Sequence, residues 1–520
     1  MKVAVVGSGV SGLAAAWLLN EFTDHEVHLF EADSRPGGHA NTVTFSPPGK
    51  EDAEVDTGFI VLNPSTYPNF ISFLKIYPDL AKRILPTEMT FSVSRDGGAF
   101  EWAGNNLLSV FCQPSRLLDP NMWILLYDVL RFNANAQRLL LDFSKDGARD
   151  QELSIGEYLQ QHGYSDSFRD NYLVPMTAAI WSTPPDKCAL DFPARTLIQF
   201  MFNHHLLQIT GKPSWLTLRG GSRTYVKKII ASLPASQVHL STPIRAARTV
   251  PTLGDVQRDS QVLLETASGE NVRFDEVIMA CHTDTTVDIL NAGGGMSADE
   301  TRILGKFKWN RNEAVLHSDE RLMPKSKLAW SCWNYLTKSV TDTSGRYLPN
   351  VNQVSLALSG PFIHWMNELQ HLPTSRHGPV LVTLNPPFDP KPELEFGRYK
   401  YDHPILSKEA IKAQDEVPSI QRTRGISYAG AWLKYGFHED GFTSGLRAAA
   451  ALAGPEARLP FPIVDADRNP SAGAVWLARA FDVFEMSGAP IVLGTLFVWY
   501  LAIMRTALRF LGIDLSHIQG

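Results

Sequence analysis

The sequence predicts an α/β fold: a Rossmann-type parallel-sheet unit interleaved with a second unit of mixed sheet and helices, followed by an apolar C-terminal helix. Three observations predict it. The run Lys2–Gly12 (KVAVVGSGVSG) joins an apolar strand to a glycine-rich turn that opens a helix. A second glycine-rich strand–loop–helix pattern lies near the far end of the chain, at 426–446. Composition is the third: 520 residues, 44% hydrophobic and 20% charged, can bury a large core and exclude a disordered or fibrous chain.

Each element follows from its residues. Gly7 permits the tight turn after the first strand, Gly9 lets the backbone approach a pyrophosphate, and Gly12 lets the helix Leu13–Leu19 pack on the sheet. The helix N-terminus offers unpaired N–H groups to phosphates. A second strand, His25–Phe30, ends at Glu31, whose carboxylate suits adenosine ribose hydroxyls and disfavours a 2′-phosphate. Beyond it, Arg35, Gly37, Gly38 and His39 supply a cationic fork and a close-approaching backbone, followed by Thr57 and Gly58 in VDTGF. These segments favour FAD over a nicotinamide cofactor. Ser46–Glu54 reads as a surface loop, 105–137 and 153–183 as helical, and 238–244, 262–266 and 276–280 as strands. Gly220, in RGGS, can present backbone N–H groups to an isoalloxazine. The far segment supplies the rest of the site through Gly430, Glu439, Asp440 and Phe442, where a helix N-terminus favours electron-rich oxygen.

The chain resembles the flavin-containing amine oxidase superfamily, which includes phytoene desaturases and a polyunsaturated fatty acid isomerase. More narrowly, it resembles a branch of FAD-binding proteins associated with cyclopropane fatty acid synthases. That likeness runs through NYLVPMTAAIWS (171–182), Asp191-Phe-Pro to Asn203-His204-His205, PSW (213–215), Arg219–Ser222, ACHTD (280–284), AWSCWNY (329–335), WMNELQ (365–370), LNP (384–386) and the His438-Glu439-Asp440 loop. It covers about residues 1–450. It implies an amine oxidase-like arrangement: FAD-binding segments 1–70, 216–300 and 416–455, substrate-domain segments 71–215 and 301–415, and a tail at 456–520.

Flavins accept a hydride from an activated C–H, and the protein holds that carbon and excludes water. His204, His205 and His282 are the acid–base candidates, because imidazole titrates near neutrality; hydrogen-bonded structural roles are the alternative. Trp181, Phe200-Met-Phe, Leu206-Leu207, Trp215, Trp333 and Trp365 are candidates to line an apolar cavity or to be ordinary core. Asn334 and Tyr335 suit either a substrate oxygen or a cross-strand role. The main expectation is an FAD-dependent oxidoreductase, desaturase or double-bond isomerase acting on an apolar, fatty-acid-like substrate. The alternatives are an amine oxidase and a non-catalytic, membrane-tethered flavoprotein. The cysteine of the covalent-flavin motif in monoamine oxidases has no counterpart at 432–439, which implies non-covalent FAD.

A net charge of −6 without basic clusters argues against nucleic acid as a partner. Cys112, Cys188, Cys281 and Cys332 lie far apart, a spacing that suits neither zinc nor a disulfide scaffold. No metal-ligand spacing or nucleophile elbow occurs. The strand beginning at Lys2 leaves no room for a removable leader, so a cytosolic body is expected. Residues 486–504 carry no charge and are flanked by Asp482 and Glu485 before and Arg505 and Arg509 after. That run is barely long enough to span a bilayer, and Gly488, Pro490 and Gly494 interrupt its start. It reads as a membrane anchor, spanning or interfacial, with a buried terminal or dimer helix and a soluble cytoplasmic protein as the alternative.

Overall fold

The computed structural model describes residues 1–146, 153–181, 190–208, 211–252, 260–341, 347–348, 362–454, 458–470 and 474–511. The chain divides into two compact units. Unit 1 comprises Met1–Thr87, Trp215–Arg311 and Lys400–Ala466; unit 2 comprises Glu88–Ser214, Asn312–Tyr399 and Asp467–Gly520.

Unit 1 is built on a five-stranded parallel sheet in the order Ile426–Tyr428, Glu276–Met279, Lys2–Val6, Glu26–Phe30, Val238–His239. Its central strands are apolar on both faces because both faces are covered. Successive side chains of Lys2–Val6 point to opposite sides. Val3 and Val5 enter a core shared with the helices Val10–Phe22, Pro68–Ile76, Arg223–Ser232 and His438–Ala453. Ala4 and Val6 enter a second core, beneath an antiparallel sheet of Ile244–Pro251, Ser260–Thr266 and Asn271–Phe274. Short pairs, Thr42–Phe45 with Ala53–Asp56 and Ile84–Thr87 with Trp215–Leu218, complete the unit. The second pair brings residues up to Thr87 into unit 1, beyond the expected break at 70. Thr42–Phe45 and Ala53–Asp56 also make the predicted 46–54 loop the tip of a hairpin.

Two helices of unit 1 meet backbone to backbone. A Cβ built on Gly445 would stand 2.0 Å from the Ser11 carbonyl oxygen, and one on Gly441 would stand 2.6 Å from Val10 Cγ1. Only glycine permits this approach, which fastens His438–Ala453 onto Val10–Phe22.

Unit 2 carries most of a seven-stranded mixed sheet, in the order 395–405, 308–317, 381–384, 362–365, 333–337, 91–95, 100–103. Its first two strands each begin in one unit and end in the other. Among the described residues the unit also holds a short antiparallel pair, Val340–Thr341 with Tyr347–Leu348, and the helices Pro120–Asp146, Ile155–Gln161, Val174–Trp181 and Ala194–Asn203. The predicted helical stretch 105–137 is thus three pieces, a single turn at Leu107–Val110, a 3-10 turn at Pro114–Leu118 and the long helix from Pro120. The tail forms two helices, Ala474–Met486 and Ala489–Phe510. Gly488 separates them in a left-handed conformation (φ 72°), and Pro490 sits in the first turn that follows, where it costs no helical hydrogen bond. Cys112, Cys281 and Cys332 are free thiols, and Cys188 lies outside the described residues.

Substituting Gly445 by Leu should force the two glycine-apposed helices apart and lower stability by at least about 1–3 kcal/mol, the usual cost of overpacking. Thermal unfolding of G445L against G494L, whose Cβ would meet nothing within 4 Å, checks this.

Candidate dinucleotide and flavin site

The site in unit 1 starts at the first turn. Gly7 adopts φ 102°, and a Cβ there would stand 2.9 Å from Ala280 O; on Gly12 it would stand 1.8 Å from Gly7 O. Gly9, by contrast, faces open space, with nothing within 4 Å of its would-be Cβ. That opening lies where the helix beginning at Val10 presents its N-terminal amides and positive dipole end. The 35–38 loop lies against the same turn: Gly37 N donates to Ser8 O at 3.0 Å, and a Cβ on Gly38 would be 3.2 Å from Gly9 Cα.

Arg35 is anchored on one side only. Its Nη2 donates to Gly38 O at 3.0 Å and its Nε lies 3.7 Å from Asp33 Oδ2, but Nη1 is buried without a hydrogen-bond partner among the described residues. A buried guanidinium N–H beside an open helix N-terminus fits a pyrophosphate oxygen. Glu31 is oriented by Ser8 N (2.8 Å) and Ser8 Oγ (2.5 Å) at one oxygen and by Asp33 N (2.8 Å) at the other. A carboxylate has about four lone-pair sites, so this leaves acceptor capacity for ribose hydroxyls.

Downstream, His39 and Gly58 are apposed so closely that a Cβ on Gly58 would stand 2.3 Å from His39 O. Thr57 is buried and spent on the protein, its Oγ1 bonded to Tyr401 OH at 2.6 Å and to Asn41 O at 3.2 Å. Asp56 holds the glycine loop at 219–222: its carboxylate accepts from Ser222 N at 2.9 and 3.1 Å, Ser222 Oγ at 2.7 Å and Thr42 Oγ1 at 2.6 Å. Burial pushes its carboxyl up to about 6. Gly220, at φ 81° in that loop, is fixed by the same clamp.

In the far segment, Gly430 N donates to Ser444 Oγ at 2.9 Å, and Trp432 packs so tightly over Gly430 that a Cβ would stand 2.0 Å from its Nε1. Three expected cofactor contacts here are instead engaged with the protein through their side chains. Glu439 caps the helix Pro68–Ile76, accepting from Asn69 N (2.8 Å) and Phe70 N (3.0 Å); burial pushes it up to about 8. Asp440 accepts from Tyr435 N (3.2 Å) and Phe437 N (2.9 Å) and closes the loop before its own helix. Phe442 is fully buried against Trp17, Phe70 and Phe73, because its place on the helix faces the core. What these three offer a cofactor is the backbone they hold.

Of the three histidine candidates, His282 belongs to unit 1 and His204 and His205 to unit 2. His204 is buried, stacked on Phe200 and bonded through Nδ1 to Phe200 O at 3.0 Å, and His205 bonds Gln208. Both act as helix-end residues of Ala194–Asn203. His282 N-caps Thr283–Ala292 and stacks on Trp309 at 3.8 Å. Around it unit 1 gathers a ring cluster: His39 lies 6.2 Å from His282, 5.4 Å from His403 and 4.9 Å from Tyr401. Tyr401, His403 and Trp309 were missed in the sequence, although the i, i+2 spacing of Tyr401 and His403 puts both on one face of the strand Glu395–Ile405. Burial lowers the pKa of all three imidazoles, His403 to about 4, and of His438 to about 3. His438 stacks on Phe59 at 3.7 Å and bonds Tyr225 OH at 2.8 Å.

The cavity candidates divide between the units, with Trp215 in unit 1 and the others in unit 2; Phe200, Met201, Phe202 and Leu207 are core there. The Trp181 side chain lies outside the described residues. Asn334 is structural, accepting from Ser92 Oγ at 2.8 Å and Ser331 N at 2.9 Å.

Fold and site together define a dinucleotide-binding oxidoreductase. The chain belongs to the family of flavin-containing amine oxidoreductases, matching it over residues 10–290, more than half its length. Members of that family bind FAD, and this protein is an FAD-dependent oxidoreductase. Its fold is similar to cyclohexylamine oxidase from Brevibacterium oxydans IH-35A (14% identity, TM-score 0.57, covering 87% of this chain and 98% of the other). It is also similar to a CLA-producing fatty acid isomerase from P. acnes (14%, 0.56, 86% and 98%) and to a putrescine oxidase bound to putrescine (15%, 0.55, 87% and 99%). Comparison with curated proteins finds no match.

Two outcomes follow from this geometry. Arg35→Ala should weaken FAD retention by about tenfold or more, since it removes a charge-assisted bond worth roughly 1.5–3 kcal/mol; flavin content after gel filtration and denaturation measures it. The half-buried imidazoles of the cluster take up protons near 6.5 in the unfolded chain and only at lower pH in the fold. Their contribution to stability is therefore present above about 6.5 and lost as pH falls towards about 4. His403→Gln should flatten this acid-side fall in melting temperature; Glu439 titrates with the opposite sign and is unchanged by the substitution.

Proposed function

We propose that the protein uses FAD to oxidise, desaturate or isomerise an apolar, fatty-acid-like substrate. The observation that carries the reading is the helix Ala489–Phe510, an apolar helix 22 residues long and almost wholly exposed. An enzyme holding such a surface at a membrane meets substrates dissolved in lipid. The resemblance to FAD proteins associated with cyclopropane fatty acid synthases supports the same chemistry, and the body then faces the cytosol with the tail on the membrane.

Bound FAD supplies a hydride acceptor at N5. The chain's residues do the rest. Arg35 and the Val10 helix end hold the pyrophosphate, Glu31 the ribose, and the Asp56 and Asp440 clamps fix the surrounding backbone. The neutral His39–His282–His403 cluster can take up or return a proton without first losing one to bulk water. An amine oxidase is the second reading, favoured by the fold shared with cyclohexylamine and putrescine oxidases.

Anaerobic incubation with unsaturated, cyclopropane and methylene-branched acids beside simple amines separates the two. Flavin bleaching, or a shifted double bond in the recovered acid, is expected from a lipid and not from an amine; bleaching by amines alone would overturn the reading. His282→Gln should slow flavin reduction or isomerisation by roughly 10² while leaving FAD content unchanged, measured by stopped flow.

A further inference from the structure

Unit 2 exposes apolar side chains in a second place. Leu107 and Leu108, on the one-turn helix Leu107–Val110, are 77% and 74% exposed, and Leu328, on the turn Lys327–Ala329, is 58% exposed. These leucines do not sit on loose loops. A reciprocal capping box between Asn106 and Ser109 closes the first turn. Glu101, buried in the sheet, grips the second, accepting from Lys325 N and Ser326 N at 2.8 Å each. Ser331 Oγ donates to Asn105 Oδ1 at 3.1 Å, and Ala103, Cys112 and Ala329 form a small core beneath both turns. The result is a rigid knob with three leucines outward and exposed Lys325 and Lys327 beside them.

The knob is continuous with the tail. Phe111, just after Leu108, packs on Trp123 at 5.3 Å, and Trp123 packs on Phe497 of the tail helix at 5.5 Å. Further along, Arg505 Nε donates to Leu118 O at 2.8 Å. The helix is therefore held to the body from Phe497 to Arg505, about 12 Å of its length. Its approach is held too, because Glu485 pairs with Arg131 and Tyr127 and Asp482 pairs with Arg138. A helix fixed along the body over this length cannot also cross a hydrocarbon core of about 30 Å by itself.

We infer that the tail helix lies in one leaflet, and that the Leu107–Leu108–Leu328 knob inserts beside it as a second membrane contact, with Lys325 and Lys327 meeting anionic headgroups. The inference rests on the membrane reading of the tail given above, and not on the choice of substrate. Lipid suits the surface better than a protein partner because the leucines flank an exposed apolar helix and carry the basic rim that favours anionic membranes.

Flotation of the full-length FAD-loaded protein with phosphatidylcholine/phosphatidylglycerol vesicles tests it. The parent should float, and L107Q/L108Q should partition about tenfold or more weakly with its flavin absorbance intact. L328Q, on the other turn, should weaken binding independently, so a folding defect in one variant leaves the test standing. K325Q/K327Q should lose affinity for the mixed vesicles and not for phosphatidylcholine alone. Unchanged flotation of both leucine variants would overturn the knob while leaving the tail a membrane anchor. A parent that does not float, and a dimer that L107Q/L108Q converts to monomer, would overturn both and assign the face to a second copy.

Discussion

The contact on which the nucleotide unit depends is the bare apposition of Ser11 and Gly445. Packing without a side chain between them lets the helix that opens the dinucleotide turn and the helix that closes the site share one core. Through it, the first residues of the chain and the 430–445 segment are held as a single body. The orientation of Glu439 follows, since its helix must lie there for its carboxylate to reach Asn69 and Phe70. The placement of Phe442 among Trp17, Phe70 and Phe73 follows as well.

Around that contact the acids serve the backbone. Asp56, Glu439 and Asp440 each accept main-chain N–H groups from segments distant or adjacent in sequence, and so turn glycine-rich loops into defined surfaces. The cations and imidazoles do the opposite: Arg35 keeps one N–H unspent, and the His39 cluster stays neutral because burial penalises its charged form. The acids thus build the cradle, while Arg35 Nη1 is left without a partner among the described residues.

Much of this was legible in the residues. The Lys2–Gly12 pattern, the strand ending in Glu31 and the Arg35 loop fold as their types dictate, because each is governed by local backbone chemistry. The α/β class and the apolar C-terminal helix follow in the same way, and Gly488 and Pro490 mark the break between the tail helices. What local pattern does not carry is direction. Glu439 and Phe442 sit on the first turn and a half of the helix His438–Ala453, yet helical phase turns Phe442 inward and an incoming helix N-terminus claims Glu439. His204 and His205 look reactive as a pair, but a helix end absorbs them. Tyr401 and His403 sit on a strand whose neighbours come from far away, so nothing local singles them out beside His39.

The parallel sheet of unit 1 is assembled from strands delivered in a long sequence: Lys2–Val6 and Glu26–Phe30 first, Glu276–Met279 much later, Ile426–Tyr428 last. During synthesis the nucleotide turn therefore emerges early; its strand lacks a second neighbour until Glu276–Met279 has followed, and its helix lacks His438–Ala453 until some four hundred further residues have followed. Loop closure over such separations is slow. The nascent protein consequently spends most of its translation with an exposed, strand-edged apolar surface, and its cofactor can be captured only as one of the last events of folding.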